Sequence, residues 1–215
     1  MKILISGTSR GIGKAIALKF LKEGHEVYGI DIRKSSIKDE HYSHIQKDIR
    51  DKDLPFIKDI NIIIANAGVQ EEKNAIDVNL NGTINFIEKY QNSGVLQSIL
   101  FIASASARNG SEFPLYAASK GGLVTYMKNL AARLADRKIT VNALSPGGVN
   151  TMSNNHIIKD EKKYSSVLNE TLLHKWIEVE EIAEWVYFMT VVNKSMTGED
   201  VLVDNGEILR NNFIW

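Results

Sequence analysis

The chain has 215 residues, 44% of them hydrophobic and 24% charged, with 26 Lys and Arg balancing 26 Asp and Glu. That length buries one substantial core, and such ordinary globular usage excludes disorder. A net charge near zero removes the electrostatic case for nucleic acid, and the lack of cysteine excludes disulfides, a thiolate nucleophile and Cys-ligated zinc.

No apolar run reaches the roughly 18 residues of a membrane span, so no membrane partner is expected. The N-terminal apolar run is too short for a signal peptide and leads into a glycine motif, so a cytoplasmic location is expected.

In chain order, Lys2–Ser6 predicts a buried strand, and Gly11–Glu23 carries Ile12, Ile16, Phe20 and Leu21 at helical spacing. Glu26–Ile30 predicts a second strand and Ile45–Lys47 a third, very short one. Asp59–Ala65 reads as an apolar strand, Asn74–Gln91 as a helix and Ser98–Ala103 as a strand. Pro114–Arg137 is a long helix, followed by a strand over Lys138–Leu144. A further helix covers Val179–Val192, and Asp200–Val203 is the last strand. No linker or repeat interrupts the pattern, so residues 1–215 are read as a single domain. Strands alternating with helices predict an α/β fold, a parallel sheet covered by helices on both faces. Ligands of such sheets bind beyond the carboxyl ends of the strands.

The first strand runs into Ser6-Gly7-Thr8-Ser9-Arg10-Gly11-Ile12-Gly13, and a helix opens at once. Gly7 suits a tight turn, Gly11 lets the backbone approach a phosphate, and Gly13 lets the helix pack close to the strand. The helix N-terminus then offers free N–H groups to an anion. The alternative is a glycine-rich turn with no ligand. Asp31 closes the second strand close to twenty residues on, where a carboxylate can bind a ribose diol and repel a 2′-phosphate. The alternative is a plain helix-capping or turn aspartate. Arg10 and Arg33 argue the other way, since either could reach a 2′-phosphate.

Tyr116 and Lys120 lie four apart in the long helix and share a face. An ammonium beside a phenol favours the phenolate, so the tyrosine could exchange a proton with an alcohol or carbonyl oxygen near neutral pH. Alone, such a pair is as readily a solvated surface feature. Ser104 and Ser106 follow the preceding strand, where a hydroxyl can bond a substrate oxygen. Asn79 lies in the middle helix, where a core-facing amide is costly without a task.

With these motifs in order, the sequence resembles the short-chain dehydrogenase/reductase family over essentially its whole length. Ser6–Gly13 matches the family's glycine turn, with serine where threonine is usual, and Asn66-Ala67-Gly68 matches its N-A-G motif. Asn79, Ser104, Tyr116 and Lys120 match its catalytic four; Ser104 is chosen over Ser106 because it lies twelve residues before Tyr116. Pro146-Gly147-Gly148-Val149-Asn150-Thr151 matches the segment that faces the nicotinamide, and Asp48-Ile49 the pair beside the adenine. Thr197-Gly198 through Asp204-Asn205-Gly206 is similar to the closing motif.

The resemblance implies a Rossmann-type doubly wound sheet in three α/β/α layers. It implies NAD(P)-dependent interconversion of a ketone and a secondary alcohol, as in 3-oxoacyl-carrier-protein reductases. Gly7, Ser9, Arg10, Gly11, Ile12, Gly13, Asp31, Asp48, Ile49, Asn66, Ala67, Gly68, Pro146, Gly147, Val149 and Thr151 would hold the cofactor, with Tyr116 and Lys120. Asn79 would hold a water that passes a proton from Lys120. Asp31 favours NAD over NADP, and no metal is expected. The competing class is a non-catalytic NAD(P)-binding sensor or scaffold of the same fold.

The stretch from Gly68 to Asn79 is shorter than usual for the family. Residues 152–176 should form a substrate lid of two short helices, with His156 at its surface. A homodimer or homotetramer is expected from apolar Ile84, Phe86, Ile87, Tyr90, Leu123, Val124, Met127 and Leu130 and from the chain end Phe213-Ile214-Trp215. Trp176, Trp185 and Trp215 are read as packing or subunit-contact residues.

Overall fold

A computed structural model describes residues 1–111 and 113–209; the apolar chain end at Phe213, Ile214 and Trp215 lies outside them. Seven strands form one parallel sheet: β1 (Lys2–Ser6), β2 (Glu26–Asp31), β3 (Tyr42–Gln46), β4 (Ile62–Ala65), β5 (Ser98–Ile102), β6 (Thr140–Pro146) and β7 (Asp200–Val203). Their order is β3-β2-β1-β4-β5-β6-β7. The chain therefore winds outward from β1 in one direction, returns, and winds outward in the other. The switch point falls between β1 and β4.

The central strands are apolar because both their faces are covered. Every residue of β4 and β5 is buried. On one face lie α1 (Gly11–Lys22) and the later α7 (Val179–Tyr187), where Ile16 and Phe20 meet Ile182 and Val186 over Ile3, Ile62 and Leu100. On the other face lie α2 (Thr83–Tyr90) and α4 (Pro114–Leu134). They press Phe86, Ile87, Leu123 and Met127 onto Leu4, Ile63 and Phe101. This is the expected three-layer, doubly wound fold in one domain. Among the described residues no helix is long and apolar enough to cross a membrane.

Several boundaries differ from expectation for local reasons. β3 is an edge strand whose residues are half-buried or exposed, so its apolar signal is weak. It starts at Tyr42, opposite Val27, three residues earlier than expected. β4 starts only at Ile62: Asp59 has a φ of 60°, and Asn61 turns its side chain back to accept the Lys2 N–H. β6 begins at Thr140 because Lys138 is left-handed at φ 56° and closes the turn after α4. The expected helix over 74–91 is composite. A 3₁₀ turn (Glu72–Asn74) precedes a π-helical segment (Ile76–Gly82), and α2 follows. The unexpected α3 (Ser106–Asn109) is a single turn, stopped by Gly110 at φ 69°.

The apolar helix faces expected to seek a partner belong to this chain's own core. Phe86, Ile87, Tyr90, Leu123, Met127 and Leu130 are all buried against the sheet within one molecule. Ile84 and Val124, on the same two helices, are half-buried.

Phe101 is fully buried on β5, with its ring edge-on to Tyr126 at 6.0 Å. Phe101→Ala should cost about 3–5 kcal/mol, read as a lower urea midpoint with an unchanged m-value.

Candidate active site

The glycine turn, Asp31, Asn66–Gly68, Ser104 and Pro146–Thr151 all lie at or just past the carboxyl ends of β1, β2, β4, β5 and β6. Gly7 and Gly11 have φ values of 78° and 55°. A Cβ on Gly7 would stand 2.7 Å from Asn66 Nδ2 and 2.9 Å from Ala67 Cα, and one on Gly13 would overlap the Gly7 carbonyl oxygen. On Gly11 it would meet nothing nearer than Thr151 Cγ2 at 3.8 Å. Gly7 and Gly13 are thus close-packed, and the open surface lies over Gly11. α1 has no side-chain cap and no acidic residue in its first turn. Its leading N–H groups have no intrahelical acceptor, and its positive end is uncompensated.

Ser6 ties this turn to the next strand end. Its Oγ accepts the N–H groups of Asn66 and Ala67, both at 3.0 Å. Asn66 Nδ2 donates to the carbonyls of Ser6 at 3.0 Å and Gly7 at 3.1 Å. The carboxyl ends of β1 and β4 are therefore cross-linked at the switch point.

Asp31 is buried, and both its oxygens are engaged. Oδ2 accepts the Ser9 N–H and Oδ1 the Arg33 N–H, each at 2.9 Å. A second chain of bonds, which the sequence did not disclose, braces the same corner. His44 Nε2 donates to the Arg33 carbonyl at 2.8 Å. His44 Nδ1 shares a 3.1 Å hydrogen bond with the Tyr42 hydroxyl, which shares another at 2.7 Å with Thr8 Oγ1. Burial pushes the Tyr42 phenol above its usual pKa. Gly29 makes the chain possible, since a Cβ there would overlap both hydroxyls.

Arg50 lies 2.7 Å from both Asp48 and Asp77, and its guanidinium holds the Asp48 carboxyl below the usual carboxylate range. Ile49 is buried, and Asn85 pins the loop by donating to the Ile49 carbonyl at 2.7 Å.

Of the other predicted residues, Lys120 and Asn79 converge. Lys120 is buried on α4; its Nζ donates to the Ile102 carbonyl at 2.9 Å and lies 5.8 Å from the Tyr116 ring centroid. Asn79 is fully buried in the π-helical segment. Its Oδ1 accepts the Val69 N–H at 2.7 Å, and its Nδ2 donates to the Val69 carbonyl at 2.9 Å and to Ser119 Oγ at 3.0 Å. A Cβ on Gly68 would stand 3.1 Å from Asn79 Oδ1 and 3.6 Å from Lys120 Nζ, so both groups face that backbone. Ser104 Oγ shares a 3.0 Å hydrogen bond with Ser106 Oγ. The two candidate serines are therefore in contact.

After β6, Gly147 N–H bonds the Val203 carbonyl at 2.9 Å and Gly148 N–H bonds Glu207 Oε2 at 3.2 Å. Two short helices follow, α5 (Asn155–Ile158) and α6 (Glu161–Leu168). Trp176 is buried against Gly148 and edge-on to Tyr164 at 5.7 Å, a packing role. His156 is exposed. Among the described residues no group of His, Cys, Asp and Glu is placed to hold a metal.

Residues 55–207 match the family model described as enoyl-(acyl carrier protein) reductase. The chain belongs to the short-chain dehydrogenase/reductase family. A 3-oxoacyl-[acyl-carrier-protein] reductase of Staphylococcus epidermidis is 28% identical, over 94% of this chain and 97% of that protein. Among solved structures, a short-chain dehydrogenase family protein of Francisella tularensis superposes with a TM-score of 0.88 at 28% identity, over 97% and 99% of the two chains. A protein of Agrobacterium tumefaciens, assigned as a 2-deoxy-D-gluconate 3-dehydrogenase and solved with NADP, gives 0.85 at 25% identity, over 97% and 96%. This short-chain dehydrogenase/reductase is accordingly an enzyme, an oxidoreductase.

Ser6 carries two otherwise orphaned N–H groups, so Ser6→Ala should cost about 1–3 kcal/mol. Ser6→Thr, which keeps the hydroxyl, should recover most of that. Urea unfolding of both variants checks it.

Proposed function

We propose that the chain moves a hydride between a nicotinamide cofactor and a small ketone or secondary alcohol. Ser104, Tyr116, Lys120 and Asn79 handle the substrate oxygen and its proton. The observation that carries this reading is the convergence of Lys120 Nζ and Asn79 Oδ1 on the Gly68 backbone, one helical turn from Tyr116.

The residues fit such a cofactor. The open face over Gly11 and the uncapped start of α1 suit a pyrophosphate. Gly7, Ser9, Arg10, Ile12 and Gly13 complete that turn. Asp31 would meet the adenosine ribose, Asp48 and Ile49 the adenine, and Asn66, Ala67 and Gly68 the middle of the molecule. Pro146, Gly147, Val149 and Thr151 would flank the nicotinamide. Bound there, it supplies the hydride acceptor or donor.

This chain's own groups supply the proton. In reduction, the Tyr116 hydroxyl donates to the substrate oxygen; in oxidation, the phenolate takes the proton back. The buried Lys120 ammonium favours that phenolate. Ser104, braced by Ser106, bonds the same oxygen and orients it. The Asn79 amide is occupied by Val69 and Ser119. A relay water would therefore use the remaining lone pair of Oδ1. Residues 152–176 form the lid that excludes bulk water.

For substrate we favour a 3-oxoacyl thioester. The Staphylococcus relative bears that activity in its name and aligns over nearly its full length. Leu115 and Met152, next to Tyr116 and Thr151 in the chain, leave exposed apolar surface there. An enoyl thioester, the substrate in the family model's description, is the second reading, and a paired assay on 3-oxo and 2-enoyl thioesters decides between them.

Tyr116→Phe should lower kcat about 10²- to 10⁴-fold while leaving NADH binding by fluorescence unchanged. Turnover within a few-fold of the parent chain would end the assignment.

We also propose a preference for NAD(H). Two N–H donors hold the buried Asp31 carboxylate in place, and its remaining lone pairs suit a ribose diol. A 2′-phosphate would face like charge there, a juxtaposition that costs several kcal/mol. Asp31→Asn should narrow the NADH-to-NADPH affinity ratio at least about tenfold by that repulsion. A ratio left unchanged would make Arg10 or Arg33 the discriminator.

A further inference from the structure

Helix α4 carries Tyr116 and Lys120, yet it starts without a cap of its own. Phe113 at the N-cap is extended, with φ −81° and ψ 133°, and its side chain offers no acceptor. Pro114 at the first position has no N–H to satisfy. The first donor at that helix end is therefore Leu115, the residue before Tyr116. It is met from another part of the chain, as Glu72 Oε1 accepts the Leu115 N–H at 2.7 Å.

Glu72 opens the 3₁₀ turn in the shortened stretch between Gly68 and Asn79. Its other oxygen, Oε2, is buried with no hydrogen-bond partner among the described residues. A carboxylate half-stripped of water is costly to hold unless the remaining oxygen is well bound and a positive field is near. The N-terminus of the 21-residue α4 supplies both a donor and that field. The same short loop is gripped a few residues earlier, where Asn79 bonds both the N–H and the carbonyl of Val69. One end of the loop is thus tied to the π-helical segment and the next part to the start of α4.

We propose that Glu72 is a positioning residue of this active site. It caps α4 across the chain and so sets where the Tyr116 hydroxyl stands relative to Ser104 and Lys120. The proposal rests on the reading of Tyr116 as the proton donor. A cap that served stability alone would leave turnover untouched once the protein is folded, whereas a cap one residue before the proton donor controls the distance over which the proton moves. Misplacement of a reacting group by a fraction of an ångström is enough to be seen in kcat.

The test compares Glu72→Ala, Glu72→Gln and the double variant Glu72→Ala/Phe113→Ser in the full chain. Serine at the N-cap supplies a local acceptor in place of the distant one. Three quantities are read: kcat on a ketone that the parent chain accepts, NADH affinity by fluorescence, and amide exchange at Leu115 by NMR. Glu72→Ala should lose at least about tenfold in kcat while NADH affinity stays within about twofold, and Leu115 should exchange faster. Glu72→Gln retains an acceptor oxygen and should keep kcat within about threefold. Phe113→Ser should restore most of what Glu72→Ala loses.

The proposal is overturned if Glu72→Ala keeps kcat, if kcat and NADH affinity fall together, or if the new cap restores nothing. If Glu72→Ala does not fold, the double variant stands in for it. Near-parental kcat there supports the proposal, and a deep loss of kcat with intact NADH binding overturns it. The two readings fail separately. Turnover that survives Tyr116→Phe removes the tyrosine whatever Glu72 does, while unchanged Leu115 exchange in Glu72→Ala removes only the cap.

Discussion

The site depends on one cross-link, the clasp of Ser6 and Asn66 where β1 and β4 part. A doubly wound sheet has a crevice at its switch point because successive connections leave on opposite faces. Nothing in that topology keeps the crevice floor in register. Here a hydroxyl from β1 accepts two N–H groups past β4, and an amide past β4 donates to the carbonyls of the last residue of β1 and the one after it. The glycines are consequences of this approach. Gly7 cannot carry a Cβ because Asn66 is against it, and Gly13 cannot because Gly7 is. Only with both packed flat does the open face over Gly11 lie at the start of α1.

The corner around Asp31 follows the same logic with a different chemistry. A carboxylate exposed at a strand end would be mobile and weakly selective. Here it spends one lone pair per oxygen on Ser9 and Arg33, which fixes its direction. The chain Thr8–Tyr42–His44–Arg33 closes the other side of the corner, so strands β1, β2 and β3 all contribute to one rigid edge. On the proposed reading, cofactor choice would be a contest between the held Asp31 carboxylate and the flexible Arg10 and Arg33.

Much of this was legible from residue order, because the central strands are buried on both faces and read as apolar runs. β1, β2, β5 and β7 sit where their sequences put them, and α1 and α4 begin at the expected glycine and proline. The edge strand β3 was misjudged because half its residues face water and apolar periodicity fades there. Asp59 and Lys138 shifted two strand starts through positive φ, which the residue types alone do not announce. On α2 and α4, Phe86, Ile87, Leu123 and Met127 cover this chain's own sheet while Ile84 and Val124 stay half-buried, a division that apolar periodicity does not show. Within the proposed site, motif spacing singled out Ser104, Tyr116, Lys120 and Asn79. It could not reveal partners that belong to no local pattern: Ser119 for Asn79, Asn85 for Ile49, or His44 for Arg33. Gly29 was the available signal for the last, since a glycine inside a strand marks a close approach.

The two walls of the cleft are held in different ways, which bears on what can move. On the Gly68 side the chain is short and tied at Val69 by Asn79, so it has little freedom to close on a ligand. On the other side the segment after β6 is anchored at its far end. Trp176 packs against Gly148, Leu173 N–H bonds the Asn205 carbonyl at 3.2 Å, and Asn205 Nδ2 donates to the Lys175 carbonyl at 2.9 Å. Between those anchors α5 and α6 contain no buried residue. A segment with fixed ends and little buried apolar surface belongs to the low-stability part of a fold, where opening costs least. On the proposed reading of residues 152–176 as a lid, α5 and α6 would be the part that moves, while the Tyr116 side would stay fixed.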